Sequence, residues 1–383
     1  MTNTSNAFEI GPIRPPSEAE SLLLRITRNC PWNKCKFCKL YKKQKFSTRS
    51  VDEIKADIDQ VAAIRNDILE MSRDAVSYEP YMIREKLTGL PEETIQRYFY
   101  IIQWMASGEE SVFLQDANAM VLTFDKLCQI LVYLREKLPH VKRVTSYGRV
   151  DSLNKFSVEQ FKALKEAGLD RIHSGFESGS DNVLTLISKG YTKAQETEAG
   201  QKIKASGIEL SVYYMPGAGG KDFSEENAEE TADTINKIDP DFVRIRTFIS
   251  LPGTGLFEDI EAGRIKECTD AEKMLELKKM IQCIHGATGH LFSDHIVNLF
   301  ENVNGNMKTD KEKMLSVFNA FENLGASDRR RYQLARRMGM LRSPGDLDFL
   351  SRQQSETIDM YLAGLDTDEK FEAFLLKFLR RYV

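Results

Sequence analysis

The sequence predicts an α/β protein built of about six parallel βα units, with one helical insertion and a C-terminal helical extension. Two observations predict this fold class. Short apolar segments of strand length alternate with longer segments in which apolar residues recur every three or four positions. Glycines such as Gly168 and Gly207 stand at the ends of the helical segments, a position that favours this residue. Such alternation is typical of parallel sheets whose strands are joined by helices.

The βα units are assigned in chain order from these patterns. SLLLRIT (21–27) has the length of a strand, and residues 50–71 carry apolar positions at helical spacing. Further strands are predicted at 111–118, 143–149, 171–178, 209–217 and 241–253, and further helices at 124–138, 157–167, 192–206, 224–238 and 270–285. Six units are too few for a complete eight-stranded barrel, so the pattern fits a partial barrel or a doubly wound sheet.

Three segments fall outside this repeat. Residues 1–20 are polar and proline-containing and are predicted to form a tail, and residues 72–110 are predicted to form an inserted helical segment. The core is expected at 21–290, and no strand is expected after it. Amphipathic patterns predict a helical cap over 291–383, with helices at 310–323, 328–340 and 355–382.

The composition indicates a cytoplasmic globular protein. Of 383 residues, 42% are hydrophobic and 29% charged, and the formal net charge is −4. No apolar run approaches the roughly 18 residues of a membrane span, and the N-terminus lacks the pattern of a signal peptide. Six cysteines in such a chain argue against a disulfide framework. The negative net charge argues against nucleic acid as a partner.

The loop RNCPWNKCKFCKLYKKQKF (28–46) carries the strongest chemical signal. Cys30, Cys35 and Cys38 fall within nine residues, directly after the first predicted strand. A structural zinc site normally needs four ligands, and a thioredoxin-like dithiol needs only the last two cysteines. An iron–sulfur cube held by three thiolates leaves one iron open for another ligand. Three cysteines at the end of the first strand of a βα series favour this third interpretation.

The loop resembles the signature of the radical S-adenosylmethionine (radical SAM) superfamily, which is C-x3-C-x2-C with an aromatic residue before the last cysteine. Here the spacing is C-x4-C-x2-C, and Phe37 takes the aromatic position. GFESGSDNVLTLISKGYT (175–192), YYMPGAGG (213–220) and RIRTFISLPGTGLFE (244–258) resemble the fourth-, fifth- and sixth-strand segments of the branch that contains oxygen-independent coproporphyrinogen oxidases and methylthiotransferases. The resemblance implies a partial (β/α)6 TIM-like barrel over about residues 21–290.

The resemblance also implies the cofactors and a partner. Cys30, Cys35 and Cys38 would hold a [4Fe-4S] cluster, and S-adenosylmethionine would chelate the open iron. An electron from the reduced cluster would split a sulfur–carbon bond, by default giving a 5′-deoxyadenosyl radical. Seven lysines and arginines between Lys34 and Arg49, without an acid among them, are interpreted as a docking surface for an electron donor such as flavodoxin or ferredoxin, as an attractor of an anionic substrate, or as a solvated loop.

The candidate cofactor-binding residues follow the ends of the predicted strands. Glu177 is expected to accept hydrogen bonds from ribose hydroxyls, as an acid does in dinucleotide-binding folds. Lys189 is expected to meet the cofactor carboxylate. Gln115 opens QDAN (115–118), which stands where many members have a Gly-Gly-Glu type motif. Phe37 and Ser146 complete the set.

The candidate substrate-binding residues are also at strand ends. Arg244 and Arg246 alternate with apolar residues, so both point to one face of a strand. An arginine inside a small barrel must be paired or bind an anion. The full set is Arg149, Tyr213, Tyr214, Arg244 and Arg246.

Three functions are compatible with these features. The leading hypothesis is a radical SAM enzyme, an oxidoreductase or transferase, that acts on a small or medium-sized organic molecule. The second is modification of tRNA or protein, against which stand the absence of an extra cysteine triplet and of overall basic charge. The third, of another class, is a non-catalytic haem or iron–sulfur carrier or chaperone.

Overall fold

The computed structural model describes residues 8–72 and 87–382, and its described part contains one mostly parallel sheet of eight strands, in the order β1-β4-β5-β6-β7-β8-β9-β10, and a separate β2-β3 ribbon. The neighbours from β1 to β9 for which the register is resolved pair in parallel, and β10 is antiparallel to β9. The predicted α/β fold class with six parallel strands is confirmed. The strands are β1 Leu22–Arg25, β2 Thr27–Arg28, β3 Ser47–Thr48, β4 Ser111–Gln115, β5 Arg143–Tyr147, β6 Arg171–Glu177, β7 Glu209–Tyr214, β8 Phe242–Ile245, β9 His290–Phe292 and β10 Gly305–Asn306.

The helices lie in the connections between the strands and after the sheet. None in the described ranges combines the length and the apolar character that crossing a membrane requires. They are α1 Val51–Met71, α2 Glu92–Ala106, α3 Phe124–Lys137, α4 Val150–Leu153, α5 Val158–Glu166, α6 Asp181–Leu186, α7 Lys193–Ser206, α8 Ser224–Ile238, α9 Gly255–Glu261, α10 Asp270–Cys283, α11 Lys311–Glu322, α12 Ala326–Arg337, α13 Arg352–Ala363 and α14 Asp368–Leu379.

Two predictions about the C-terminal part are wrong. Strands do occur after residue 290, because β9 and β10 pair with each other and β9 extends the sheet beside β8. Both are so short that they leave no alternating pattern in the sequence. The single helix predicted at 355–382 is two helices, α13 and α14, because Gly364 ends the first and Thr367 caps the second.

The flanking segments are described in part. Of the predicted insertion at 72–110, residues 73–86 lie outside the described residues, and α2 forms much of the rest. Of the predicted N-terminal tail, residues 1–7 lie outside. The side chains of Phe8 and Glu18 are fully buried. The domain boundaries proposed from the sequence stay a prediction.

The described chain divides into two compact units. The first comprises residues up to 31, 43–173 and 205–209. In it β1, β4, β5 and the start of β6 form parallel sheet, with Leu24 level with Leu114 and Leu114 level with Ser146. Helix α1 begins with a capping box and packs on α2 and α3.

The second unit comprises residues 32–42, 174–204 and those from 210 onward. It contains the end of β6 and the strands β7 to β10, and helices α8 and α10 pack against each other. Its apolar core includes Val183, Ile187, Met215, Phe248 and Leu256, against which Phe37 packs. The C-terminal ends of β6, β7 and β8 therefore carry the residues from which a site in this unit is built.

Candidate functional site

In the first unit, Asp116 holds the start of the cysteine loop. It accepts hydrogen bonds from Arg25 (2.8 Å) and from the backbone N–H of Asn29 (3.2 Å). Asn29 has a left-handed backbone, with φ of 66°, which asparagine tolerates better than most residues. Its side chain donates to the carbonyl of Lys45 (2.7 Å). These contacts fix the residue that precedes Cys30.

Gln115, a predicted cofactor ligand, is engaged by the N-terminal segment. Its amide donates to the carbonyls of Gly11 (3.2 Å) and Ile13 (2.5 Å), and its oxygen accepts from the N–H of Gly11 (2.7 Å). Both amide hydrogens are used in this way, since one NH2 group has two. Gln115 thus fastens the chain that leads into β1, a role that the sequence did not suggest.

Ser146 and Arg149 were both predicted at the end of the third strand. Ser146 lies on a different face of the sheet from Gln115. The register places Ser146 level with Leu114 and therefore on the opposite sheet face from Gln115. Its hydroxyl donates to the carbonyl of Tyr147 (3.0 Å). Arg149 is buried and pairs with Asp151 (3.0 Å). The structure does not bring Ser146 and Gln115 together.

In the second unit, Trp32–Lys42 is hydrogen-bonded to two of the segments that carry the resemblance, 175–192 and 244–258. The backbone N–H of Lys36 donates to the carbonyl of Ile187 (2.9 Å), and the N–H of Leu256 donates to the carbonyl of Lys36 (2.9 Å). The ammonium group of Lys36 also pairs with Asp259 (2.8 Å). Segments that are far apart in the sequence are therefore joined through main-chain hydrogen bonds at the cysteine loop.

Trp32 packs on Gly190, where any side chain would clash with the indole ring. Its indole N–H donates to the carbonyl of Ser188 (2.9 Å). A Cβ on Gly190 would lie 2.2 Å from the indole ring, and the φ of 84° at Gly190 disfavours other residues as well. The ammonium group of Lys34 lies 4.9 Å from the centre of the indole ring. Trp32 is therefore a positioning residue that sequence reasoning missed.

Three of the predicted cofactor-binding residues come together in this unit. The ammonium group of Lys189 lies 3.0 Å from a carboxylate oxygen of Glu177, and both side chains are nearly buried. Lys189 also lies over the rings of Phe37 (5.5 Å) and Tyr191 (5.8 Å). The hydroxyl of Tyr191 donates to the carbonyl of Gly175 (2.7 Å). The φ of 69° at Glu177 is a strained conformation for this residue type, and such strain clusters at functional sites.

A second carboxyl group near this pair was not predicted. Glu196 is fully buried in α7, and neither of its oxygens has a hydrogen-bond partner in the described residues. Burial raises the pKa of Glu196 well above its ordinary value of 4.5, and the charge of Lys189 opposes that shift in part. No feature of TKAQE (192–196) distinguishes this glutamate from the exposed Glu198 of the same helix, so it could not be predicted from the sequence.

Tyr214, a predicted substrate contact, belongs to a buried network behind the sheet. Its hydroxyl donates to Glu276 of α10 (2.8 Å), which also accepts from the N–H of Gly217, the amide of Asn227 and the hydroxyl of Ser224. Burial raises the pKa of Glu276 to about 7, although these four donors favour the charged form. The network ties β7 to α8 and α10 and places Tyr214 on the helix side.

Tyr213 and Arg244 lie on the other face of the same strands. They are level with each other across β7 and β8, and Arg244 is level with Phe292 of β9. The guanidinium group of Arg244 lies 5.1 Å from the ring of Phe292. Arg246 follows on the same face, and its N–H continues the sheet by donating to the carbonyl of Tyr214 (2.9 Å). Of the predicted substrate contacts, Tyr213, Arg244 and Arg246 share one face.

The donor set of the loop fits an iron–sulfur cluster. Cys30 of the first unit and Cys35 and Cys38 of the second form no disulfide, and one of them is buried and two are half-buried. Thiolates are the usual ligands of iron in such clusters. Burial raises the pKa of Cys268 to about 12, which keeps that thiol protonated. The loop supplies three thiols of this ligand type within nine residues.

The sequence matches that of a known superfamily over more than half of the chain. Residues 24–235 match the Radical SAM superfamily. The chain belongs to this superfamily and is an enzyme of the radical SAM class, whose members use a [4Fe-4S] cluster and S-adenosylmethionine. The predicted partial TIM-like barrel agrees with the parallel strand order and with this membership.

Two curated relatives show how far the similarity extends. The chain is 29% identical over 173 residues to an uncharacterized methyltransferase of Pyrococcus horikoshii, covering 44% of this chain and 35% of that protein. It is 28% identical over 155 residues to the tRNA-2-methylthio-N(6)-dimethylallyladenosine synthase of Aquifex aeolicus, covering 39% and 34%. The chain thus spans about a third of the length of these relatives.

One of the matching solved structures is that of an archaeal protein. The archaeal Elp3 of Methanocaldococcus infernus, lacking its N-terminus, superposes with a TM-score of 0.43 and 18% identity over 59% of this chain and 58% of that one.

Proposed function

We propose that the chain reductively cleaves S-adenosylmethionine at a [4Fe-4S] cluster held by Cys30, Cys35 and Cys38, and that the resulting carbon-centred radical, 5′-deoxyadenosyl by default, acts on a small or medium-sized organic substrate. The proposal depends on one observation. In the second unit the cysteine loop is bound by its main chain to the segment that carries the Glu177–Lys189 pair. When bound and reduced, the cluster supplies the electron that splits a sulfur–carbon bond.

The residues around this pair have roles that their contacts support. Glu177 offers a carboxylate to ribose hydroxyls, and Lys189 offers three donors to a carboxylate. The rings of Phe37 and Tyr191 flank the ammonium group of Lys189 and form cation–π contacts with it. Because these side chains are largely buried, a cofactor bound there meets a site with little competing water.

The test is anaerobic reconstitution with iron and sulfide, followed by reduction in the presence of S-adenosylmethionine. The protein is expected to bind four irons per chain and to release 5′-deoxyadenosine, identified by mass spectrometry. Replacing Cys30, Cys35 and Cys38 together by alanine should abolish both, because the iron then loses its thiolate ligands. Methylthioadenosine in place of 5′-deoxyadenosine would show that a different sulfur–carbon bond is cut.

Cys128→Ala is the matched control. Cys128 lies in α3, and burial raises the pKa of its thiol, so its loss should leave the iron content unchanged. A triple variant that retains its cluster would show that the ligands lie elsewhere. With the loop cysteines intact, Lys189→Gln should weaken S-adenosylmethionine binding by roughly tenfold or more, since a charge-assisted contact is lost. Lys193→Gln, whose lysine pairs with Glu230 and Asp233, is the charge-matched control.

Modification of tRNA is the second candidate function. The name of the Aquifex aeolicus relative assigns it a tRNA substrate, although that protein is about three times longer than the matched part. Purified bulk tRNA should increase the rate of S-adenosylmethionine cleavage if this alternative holds. An unchanged rate with tRNA, together with stimulation by a metabolite fraction free of RNA, would favour the small-molecule substrate.

Radical SAM enzymes need an electron donor, and the basic loop is a candidate surface for one. Some of its lysines have structural partners, since Lys36 pairs with Asp259 and Lys42 donates to the carbonyls of Asn33 (2.8 Å) and Cys35 (3.2 Å). The exposed lysines of the loop are Lys34, Lys39, Lys43 and Lys45. We propose that these exposed lysines dock an acidic flavodoxin or ferredoxin, which salt should then weaken.

A further inference from the structure

Two arginines on one face of β8 and its extension lack the partners that buried arginines normally have. Arg244 has a side chain that is 8% exposed, and its Nε has no hydrogen-bond partner. Arg246 is half-buried, and its side chain forms no hydrogen bond or ion pair with any residue in the described ranges. A buried guanidinium group without hydrogen-bonding partners is unfavourable. A ligand that supplies acceptors would remove this cost.

The acid nearest to Arg244 is a weak partner for it. The closest approach is 3.8 Å, between Nη1 of Arg244 and a carboxylate oxygen of Asp294. That distance is beyond hydrogen-bonding range, and the side chain of Asp294 is 50% exposed, so solvent screens the pair. The ring of Phe292 packs against the guanidinium group but offers no oxygen acceptor. The donors of Arg244 therefore stay available.

The surroundings of Arg246 add no compensating negative charge. His295 lies close enough to Arg246 to respond to its charge: burial, together with the charge of Arg246, lowers the pKa of His295 to about 4. His295 is accordingly neutral at pH 7, and its Nδ1 already accepts a hydrogen bond from the N–H of Val297 (3.3 Å). The two arginines thus share a face, and Asp294 is the acid that approaches Arg244 there.

The position of the two arginines favours a substrate over a structural anion. They lie on the face opposite the buried Tyr214–Glu276 network and at the C-terminal end of β8, the end of parallel strands at which barrel enzymes bind their substrates. Tyr213 is level with Arg244 on this face. The guanidinium group presents a planar set of donors that matches the two oxygens of a carboxylate or phosphate.

We propose that Arg244 and Arg246 bind an oxyanion of the substrate, a carboxylate or a phosphate group. This proposal deepens the proposed function and rests on it, because it assigns the substrate of that site to the anionic class. The arginines orient the substrate through this group and take no part in bond cleavage.

Oxyanion binding can be measured without turnover, on reconstituted holoenzyme by titration calorimetry at constant ionic strength. Inorganic phosphate and acetate are the two probes. Arg246→Gln and Arg244→Gln should each weaken binding roughly tenfold to hundredfold, the loss expected for hydrogen bonds to a charged group. Arg244→Lys should recover part of it, because lysine keeps the charge but not the planar fork.

Arg352→Gln is the matched control. Arg352 is 93% exposed and pairs only with Glu356 within α13, so the variant loses the same charge at a remote position and should bind the probes like wild type. Should Arg244→Gln fail to fold, Arg246→Gln and Arg244→Lys still decide the question. Tighter binding of phosphate supports a phosphorylated substrate, and equal or tighter binding of acetate supports a carboxylate.

Three results would overturn the proposal. One is equal probe affinity in wild type, Arg246→Gln and Arg352→Gln, and another is no binding to wild type at all. The third is displacement of the probe by S-adenosylmethionine, which would assign the arginines to the cofactor. The cleavage assay is separate: a wild type that binds phosphate at the arginines but never cleaves S-adenosylmethionine refutes the proposed function alone, whereas one that cleaves it but binds no probe refutes this inference alone.

Discussion

The second unit contains two pairs of buried or half-buried arginines that differ in what surrounds them. Arg336 and Arg337 of α12 are almost completely buried and donate to the carbonyls of the loop that follows β9, and each also pairs with a carboxylate. Among the residues that the structure describes, Arg244 has one contact to an acid, at 3.8 Å, and the side chain of Arg246 has none. The first pair is satisfied by the chain itself, and the second is not.

The same contrast separates two buried glutamates of this unit. Glu276 accepts four hydrogen bonds, and Glu196 accepts none in the described residues. Since folding selects against buried polar groups without partners, those that persist deserve a functional test. The contrast therefore predicts that substitutions in the satisfied groups lower stability and that substitutions in the unsatisfied groups do not.

The largest effect is expected at Arg337. Its guanidinium group forms two hydrogen bonds to Asp270, and both side chains are nearly inaccessible to water. Arg337→Gln leaves the Asp270 carboxylate buried without its cation, which should lower the free energy of unfolding by about 3–5 kcal/mol. Urea-induced unfolding followed by circular dichroism measures this change.

Arg331→Gln is the control for Arg337, because Arg331 lies in the same helix and pairs with the exposed Asp359. A change of about 0–1 kcal/mol is expected there. If Arg337→Gln were as mild as this control, the satisfied pair would not be structural and the comparison would fail.

Glu276 should make stability depend on pH. Its folded-state pKa, raised by burial to about 7, lies above the unfolded value of about 4.5. Folding therefore favours the protonated form, so the contribution is full below pH 4.5 and is lost as the pH rises toward 7. The free energy of unfolding should fall by on the order of 3 kcal/mol across this window, and Glu276→Gln should lack that part of the fall.

The difference between the wild-type and Glu276→Gln curves isolates this contribution. Burial also raises the pKa of Glu372 to about 7, and because both proteins contain Glu372 its titration cancels in the difference. Parallel curves from pH 4.5 to 7.5 would mean that the four donors hold Glu276 ionised throughout.

Glu196 should behave in the opposite way. Replacing it with leucine removes a buried carboxyl group without partners, so at pH 8 the free energy of unfolding should rise by about 1 kcal/mol. Glu198→Leu is the control, because Glu198 lies in the same helix and is exposed beside Lys202. A loss of stability in Glu196→Leu, or weaker S-adenosylmethionine binding, would show that the carboxyl group has a partner in the holoenzyme.

The sequence predicted the six strands of the parallel core and the longer helices between them because these are long enough to show their own periodicity, whereas the short α6 and α9 were missed. The six strands from β1 to β8 that form the parallel core were found for this reason. The three-residue β9 was missed, since pairing with β8, and not its own pattern, makes it a strand. The Tyr213 and Tyr214 side chains illustrate the same limit, because only the register assigns one to each face.

The site was predictable where chemistry depends on residue type and spacing. Phe37, Glu177 and Lys189 were proposed in this way, and they lie together, while their role in cofactor binding stays a prediction. Glu196 and the role of Gln115 were not predictable, because both depend on which distant backbone or side-chain groups the fold brings near them. Burial without a partner is a property of the folded chain and leaves no mark in a local sequence.

The smallest change in stability is expected at Arg246, and it is the sharpest test of the comparison. Arg246 is half-buried, and its side chain has no ion pair or hydrogen bond in the described ranges. Arg246→Gln therefore removes neither kind of contact there. Its free energy of unfolding should lie within about 0.5 kcal/mol of wild type, as for most partner-free substitutions. A larger loss would place Arg246 with Arg336 and Arg337, among the arginines that the fold itself requires.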